Sequence, residues 1–165
     1  MPPDLEIETA SPEETQRVAR AIGERCTGGE VVFLVGPLGA GKTCFTQGLA
    51  WGAGVEEYTH SPTFVMVTEY SGRLPFYHVD LYRTESIDEA WELGLEEYMS
   101  GEGVCAIEWG DKVLPFLHQR GERQGLLVEL AYVDGQRRRI TLRPWDARSE
   151  ALVERGREAL SEPAR

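Results

Sequence analysis

Positive charge is scarce. The 165 residues hold 17 lysines and arginines against 28 aspartates and glutamates, a net charge of -11, and Lys42 and Lys112 are the only lysines. A protein that draws its affinity from nucleic-acid phosphates presents a basic surface. This chain as a whole would be repelled by RNA, so any service to RNA metabolism is expected to run through a protein partner. Long apolar runs are missing as well: none approaches the roughly 20 residues that cross a bilayer, and no membrane role is expected. The opening MPPDLEIETA has no basic segment followed by an apolar one, as a secretory signal would. Cysteine is sparse, and Cys26, Cys44 and Cys105 lie far apart without metal-ligand spacing. A reducing cytoplasm is the expected location. What remains is an ordinary balance, 41% hydrophobic and 27% charged, in a length that suits one domain with a real core.

The most informative stretch is Gly36-Pro37-Leu38-Gly39-Ala40-Gly41-Lys42-Thr43. Glycine, four residues and then Gly-Lys-Thr is the complete phosphate-loop pattern. Val31–Val35 before it is a continuous apolar run of the buried parallel-strand kind, and the residues from Cys44 on can continue as a helix. A polyphosphate needs many hydrogen-bond donors in a small volume, and backbone N–H groups are the densest source. Gly36, Gly39 and Gly41 lack a β-carbon, so the loop can wrap closely around an anion. The helix that follows presents unpaired N–H groups and the positive end of its dipole. Lys42 adds a point charge for the β- and γ-phosphates, and the Thr43 hydroxyl can ligate Mg²⁺. The phosphate-binding set is therefore Gly36, Leu38, Gly39, Ala40, Gly41, Lys42, Thr43 and Cys44, with ATP and Mg²⁺ as the expected ligands.

The rest of the chain reads as alternating strands and helices. Leu5–Glu8 alternates like an edge strand, and Ser11-Pro12-Glu13-Glu14 is a capping box opening a helix whose Val18, Ala19, Ile22 and Cys26 share one face. Val55–His60 reads as a mobile connection. Val65–Tyr70 and Leu74–Tyr82 form a hairpin, which implies a mixed sheet. Ser86-Ile87-Asp88-Glu89 is a second capping box, before a short helix closed by Gly94 and another over Leu95–Met99. Val104–Ile107 is a buried strand. Lys112–Leu117 forms a brief helix interrupted by Pro115. Leu126–Val133 and Arg139–Leu142 flank the turn signal Asp134-Gly135, and Ser149–Leu160 closes as an amphipathic helix. The fold class is α/β: a P-loop NTPase-like mixed, mainly parallel sheet with an antiparallel hairpin, flanked by helices.

Several side chains outside the loop are candidates for chemistry. Glu108 follows a buried strand, where it could hold Mg²⁺ through water or accept a proton from an attacking water. Asp80 sits in an aromatic and apolar stretch and either pairs with Arg83 or faces the metal. Thr63 follows the flexible connection, where a hydroxyl could orient water or reach the metal. Trp109 could stack on adenine or on a partner, or serve the core. Cys44 reads as a small packing residue, and His60, His78 and His118 as incidental. Thr9, Ser11, Arg137 and Arg138 are weaker candidates for contact with the base or phosphates, or with RNA; capping and a solvated hairpin face already account for them.

Taken together, GPLGAGKT, SPTF, HVDLYR and the strand-end Glu-Trp resemble the TsaE (YjeE) family of bacterial ATPases in order, spacing and total length. The resemblance implies a role in making threonylcarbamoyladenosine (t6A) in tRNA, with ATP hydrolysis supporting repeated turnover by a TsaB–TsaD heterodimer and tRNA contacted only indirectly. It implies that Gly39–Thr43 hold the phosphates and that Thr43 and Glu108 hold Mg²⁺. Asp80 and Thr63 fall in the family's functional motifs, and Trp109 lies beside the nucleotide. The chain departs from the pattern at Pro37, where aspartate is frequent, and at Cys44, where a second threonine is. A small-molecule kinase is the alternative, although no arginine-rich lid is evident between Gly94 and Glu108. A nucleotide-gated binding module with negligible hydrolysis is the third possibility.

Overall fold

The computed structural model describes residues 4–60 and 67–160. Seven strands form one sheet: β1 (Leu5–Thr9), β2 (Val31–Val35), β3 (Val67–Tyr70), β4 (Phe76–Asp80), β5 (Val104–Glu108), β6 (Leu126–Asp134) and β7 (Arg137–Pro144). Their spatial order is β1-β7-β6-β2-β5-β4-β3. The four central strands β6, β2, β5 and β4 are mutually parallel, while β3 at one edge and β7 and β1 at the other pair antiparallel. The sheet is thus mixed with a parallel centre. β2 and β5 are buried almost throughout, which explains their unbroken apolar runs. The outer hairpins face water on one side and alternate accordingly.

Helices cover both faces. α1 (Pro12–Glu24), α2 (Lys42–Gly52) and α6 (Ala147–Leu160) lie against the face that carries Val32, Leu34, Ala106 and Val128. The other face, with Phe33, Val79 and Ile107, receives α4 (Glu96–Met99), α5 (Leu114–Gln119) and the turns between them and α3 (Ile87–Ala90). Phe33 and Phe45 are fully buried, one on each side, and each such side chain stabilises the fold by about 1.5–3 kcal/mol. α1 starts as its capping residues dictate: Ser11 Oγ accepts from Glu14 N at 3.2 Å. The Glu14 carboxylate accepts from Ala10 N at 2.6 Å, one residue earlier than the usual box.

Three details, at Pro115, Ser86 and the connection 55–60, differ from the sequence expectation, and Gly94 meets it. Pro115 opens α5 from its first turn, where its missing N–H costs nothing, instead of interrupting the helix. Ser86 takes the extended backbone of a cap, but its side chain makes no capping bond; the first turn, Asp88 and Glu89, is exposed and open to water. Gly94, at φ 105, kinks the helical run between α3 and α4, as a glycine stop should. The connection 55–60, read as mobile, is tied to α2: Gln47 Nε2 donates to Glu57 O at 3.2 Å, and Gln47 Oε1 accepts from Thr59 N at 2.6 Å.

The phosphate-loop helix is seated by close packing on α1. A Cβ on Gly48 would stand 2.3 Å from Gln16 O, and one on Gly52 would stand 2.4 Å from Arg20 O. One turn apart on each helix, these contacts let the two backbones nearly touch. Gly48→Ala must push the helices apart, and overpacking of this kind costs about 1–3 kcal/mol. A thermal melt should show Tm lowered by several degrees; an unchanged Tm would mean the helices are not in this contact.

Candidate functional site

The site lies at the carboxyl edge of the parallel strands, the usual place for ligands in open α/β sheets. β2 ends at Val35 and the chain turns through Gly36–Gly41 into α2. Gly39 (φ 80) and Gly41 (φ 106) occupy the left-handed region, which a side chain would strain. Gly36 passes so close to β6 that a Cβ would stand 2.4 Å from Leu130 O. Gly41 is the N-cap of α2 and supplies no side-chain acceptor, and the first turn holds no acidic residue. Its N–H groups are left for an anion.

Lys42 is only 5% exposed. Its ammonium donates to Gly36 O at 2.7 Å and Pro37 O at 2.9 Å, and lies 4.0 Å from the centre of the Trp109 ring. Burial lowers its pKa, opposed by the nearby carboxylates of Glu108, Asp111 and Asp80. The cation is therefore housed by two carbonyls and an aromatic face, all of which a phosphate oxygen could replace or share. Trp109 itself stands at φ 60, ψ 40, a left-handed conformation uncommon for a bulky residue and associated with functional sites. Its ring packs against Tyr82, centroids 5.0 Å apart. Of the groups near it, the structure puts the ring over the Lys42 ammonium.

Glu108 closes β5 and is 2% exposed. Oε1 accepts from the Thr43 hydroxyl at 2.9 Å. Oε2 lies 3.4 Å from Thr46 Oγ1 and is hydrogen-bonded to His78 Nε2. Asp80 pairs with Glu108 across the β4–β5 ladder, and Asp80 Oδ1 accepts from Tyr82 N at 2.9 Å. Among the described residues no ion pair joins Asp80 to Arg83. Lys112, the other lysine, holds the segment after Asp80 through Tyr82 O at 2.6 Å and Thr84 O at 3.2 Å. Thr63 lies outside the described residues.

The donor set suits a hard cation. One hydroxyl and one or two carboxylates, beside a loop built for phosphate, match Mg²⁺, which keeps several waters and shares phosphate oxygens. Among the described residues no cluster of three or more His, Cys, Asp or Glu could hold a metal without such help.

The weaker candidates separate. Arg137 pairs with Asp134 and Glu8, both at 3.0 Å, and Arg139 with Glu6 at 2.8 Å, so these two form a solvated hairpin face. Arg138 instead lies 4.3 Å over the Tyr132 ring, whose hydroxyl donates to Leu38 O in the loop at 2.9 Å. Thr9 Oγ1 bonds Thr15 Oγ1 at 2.7 Å, and Ser11 caps α1. Cys44 Sγ donates to Pro12 O at 3.2 Å; burial and Glu13 push its thiol up, against a lowering by Arg138. The other two cysteines, Cys26 and Cys105, are buried free thiols pushed by burial to about 12. His60 and His118 stay outside the site, His118 against Trp145. His78 does not: it is fully buried and hydrogen-bonded to Glu108 Oε2, so it is not incidental to that carboxylate. Strand alternation was the available signal, since it sets His78 on the same face as Asp80, two residues on. Thr46 and Tyr132 had no such signal; they meet the site only through the folded arrangement of α2 and β6.

The ring over Lys42 gives an optical test. Nucleotide should change tryptophan emission in the native protein and leave it unchanged in Trp109→Phe; an equal response in both would place the ring away from the phosphates.

Among known proteins, the family model described as threonylcarbamoyl adenosine biosynthesis protein TsaE matches residues 9–140. The tRNA threonylcarbamoyladenosine biosynthesis protein TsaE of Bacillus subtilis is 42% identical over 151 residues, covering 91% of this chain and 92% of that protein. The TsaE protein of Treponema pallidum is 46% identical over 103 residues, covering 62% and 76%. The crystal structure of Bacillus subtilis YdiB superposes with a TM-score of 0.81 at 33% identity, covering 98% and 99% of the two chains. With a family model across most of its length and identity of this degree over nine-tenths of a relative, the chain belongs to the TsaE family.

Proposed function

We propose that this protein binds and slowly hydrolyses ATP with Mg²⁺, and that it does so in the synthesis of threonylcarbamoyladenosine on tRNA, acting on a TsaB–TsaD heterodimer to support its turnover. The observation that carries the chemistry is the Thr43–Glu108 bond beside a buried Lys42. A hydroxyl, a carboxylate and an ammonium converge at the mouth of a glycine loop, the constellation phosphoryl transfer requires.

The residues divide the work. Backbone N–H groups of Gly39–Thr43 cradle the phosphates, and Lys42 exchanges its carbonyl partners for phosphate oxygens. Thr43 and Glu108, with Asp80 beside them, would hold Mg²⁺, which neutralises charge on the phosphates. Glu108 and Asp80 are the carboxylates available to orient a water and take its proton. Trp109 covers Lys42 and keeps bulk water from the cation, which strengthens its hold on phosphate. Thr63 remains a candidate for the same end of the nucleotide.

The pathway assignment rests on the relatives, which are tRNA threonylcarbamoyladenosine biosynthesis proteins. The acidic charge and the pairing of Arg137, Arg139 and Arg143 with carboxylates support an indirect relation to tRNA. No helix among the described residues is long and apolar enough to cross a membrane, and a cytoplasmic site of action fits the pathway. ATP hydrolysis should be slow for the chain alone, rise with a matched TsaB–TsaD heterodimer, and vanish in Lys42→Ala. Turnover indifferent to the heterodimer would contradict the partner assignment, and turnover surviving in Lys42→Ala would contradict the loop chemistry.

A further inference from the structure

The arrangement around Glu108 is lopsided in a way its own chemistry does not explain. Its Oε1 meets Thr43, a partner with an evident duty toward phosphate and metal. Its Oε2 meets His78, a residue that reaches neither the loop nor solvent: His78 is fully buried, in the middle of β4. A histidine that served packing alone would either satisfy both ring nitrogens or be replaceable by an apolar ring. Here one nitrogen is spent on the carboxylate and the other, Nδ1, has no hydrogen-bond partner among the described residues. An orphaned buried nitrogen is costly, so the bond at Nε2 must be worth keeping.

Geometry says what that bond does. β4 and β5 run parallel with His78 level with Ala106 and Asp80 level with Glu108. The imidazole therefore approaches Glu108 from the strand interior, behind the carboxylate, while Thr43 approaches from the loop side. Thr46 is a weaker third contact at 3.4 Å, because its hydroxyl is already donated to Lys42 O at 2.9 Å. Without the imidazole, Oε2 of a buried carboxylate would lose its main donor, and nothing would fix the side chain's rotation about its last torsion. An N–H on Nδ1 would be an unpaired donor in an apolar interior, so the tautomer that fits carries its proton on Nε2 and gives it to Glu108.

We propose that His78 is the positioning residue for Glu108: its Nε2–H holds the carboxylate in the orientation that meets Thr43 and the metal side of the bound phosphates. This rests on the reading of Glu108 as a nucleotide-site acid. A ligating or catalytic carboxylate whose far oxygen is held by a second residue is a recurring device, and loss of such outer partners typically costs about 10- to 100-fold in metal affinity or activity.

The test separates positioning from packing. His78→Phe keeps a ring in the core and removes the donor; His78→Gln keeps an N–H near the Nε2 position. Calorimetric titration with a non-hydrolysable ATP analogue, with and without MgCl₂, gives a readout apart from turnover. For His78→Phe the metal-free affinity should match the native protein, while the gain from Mg²⁺ and kcat each fall about 10- to 100-fold. His78→Gln should recover most of both. Equal behaviour of the two variants, or native Mg²⁺ dependence in His78→Phe, would overturn the proposal. Should His78→Phe fail to fold, imidazole ¹⁵N spectra of the native protein decide: a protonated Nε2 whose signal moves with Mg²⁺ and analogue supports positioning, and a bare Nε2 or an unmoved signal refutes it. Lys42→Ala keeps the two levels apart. If it leaves analogue binding intact, the nucleotide reading fails; if it abolishes binding while His78→Phe behaves as native, only the role of His78 fails.

Discussion

The site depends on one buried carboxylate. Glu108 is held from three directions, by Thr43 and Thr46 from α2 and by His78 from β4, at the end of a strand that lies between β2 and β4. A buried charge of this kind is tolerated only when hydrogen bonds replace its water. That requirement fixes the relative depth of α2, β5 and β4, because each must deliver its donor or acceptor to the same point. The parallel register does this without adjustment: Leu34 lies level with Glu108, and Glu108 with Asp80. The glycine contacts between α1 and α2 serve the same end, since they set how deep Thr43 and Thr46 sit over the sheet.

Around that anchor the side chains of Lys42 and Thr43 are satisfied within the protein. Lys42 rests on Gly36 O, Pro37 O and the face of Trp109, and Thr43 on Glu108. Each of these contacts is one that a phosphate oxygen or a metal ion could take over, an exchange of partners for Lys42 and Thr43. The left-handed backbone of Trp109 costs about 1–2 kcal/mol for a residue with a side chain. The contact to Lys42 is the feature that explains why a tryptophan stands there and not a glycine.

What was legible in the sequence was what is encoded locally. GPLGAGKT between an apolar strand and a helix fixes loop, strand and helix start within a dozen residues; strand-end placement singled out Glu108, and a carboxylate in an aromatic and apolar stretch singled out Asp80. The same local logic located both hairpins and α1. What was hidden depends on distance in the chain. His78 and Glu108 are 30 residues apart and meet only because β4 and β5 pair. The Tyr132 hydroxyl reaches Leu38 across 94 residues. Trp109 could be named but not assigned, because its ring direction follows from a positive φ that sequence does not reveal. Pro115 is ambiguous in the sequence, because a proline in the first turn and a proline that breaks a helix look alike until the helix start is known.

The most direct measurement is a crystal structure of the protein with Mg²⁺ and a non-hydrolysable ATP analogue. The account predicts that Lys42 Nζ leaves Gly36 O and Pro37 O for phosphate oxygens and that the Thr43 hydroxyl turns from Glu108 to the metal. Glu108 itself should stay in place, still bonded to His78. A complex in which Lys42 keeps its carbonyl partners, or in which Glu108 swings away from His78, would contradict it.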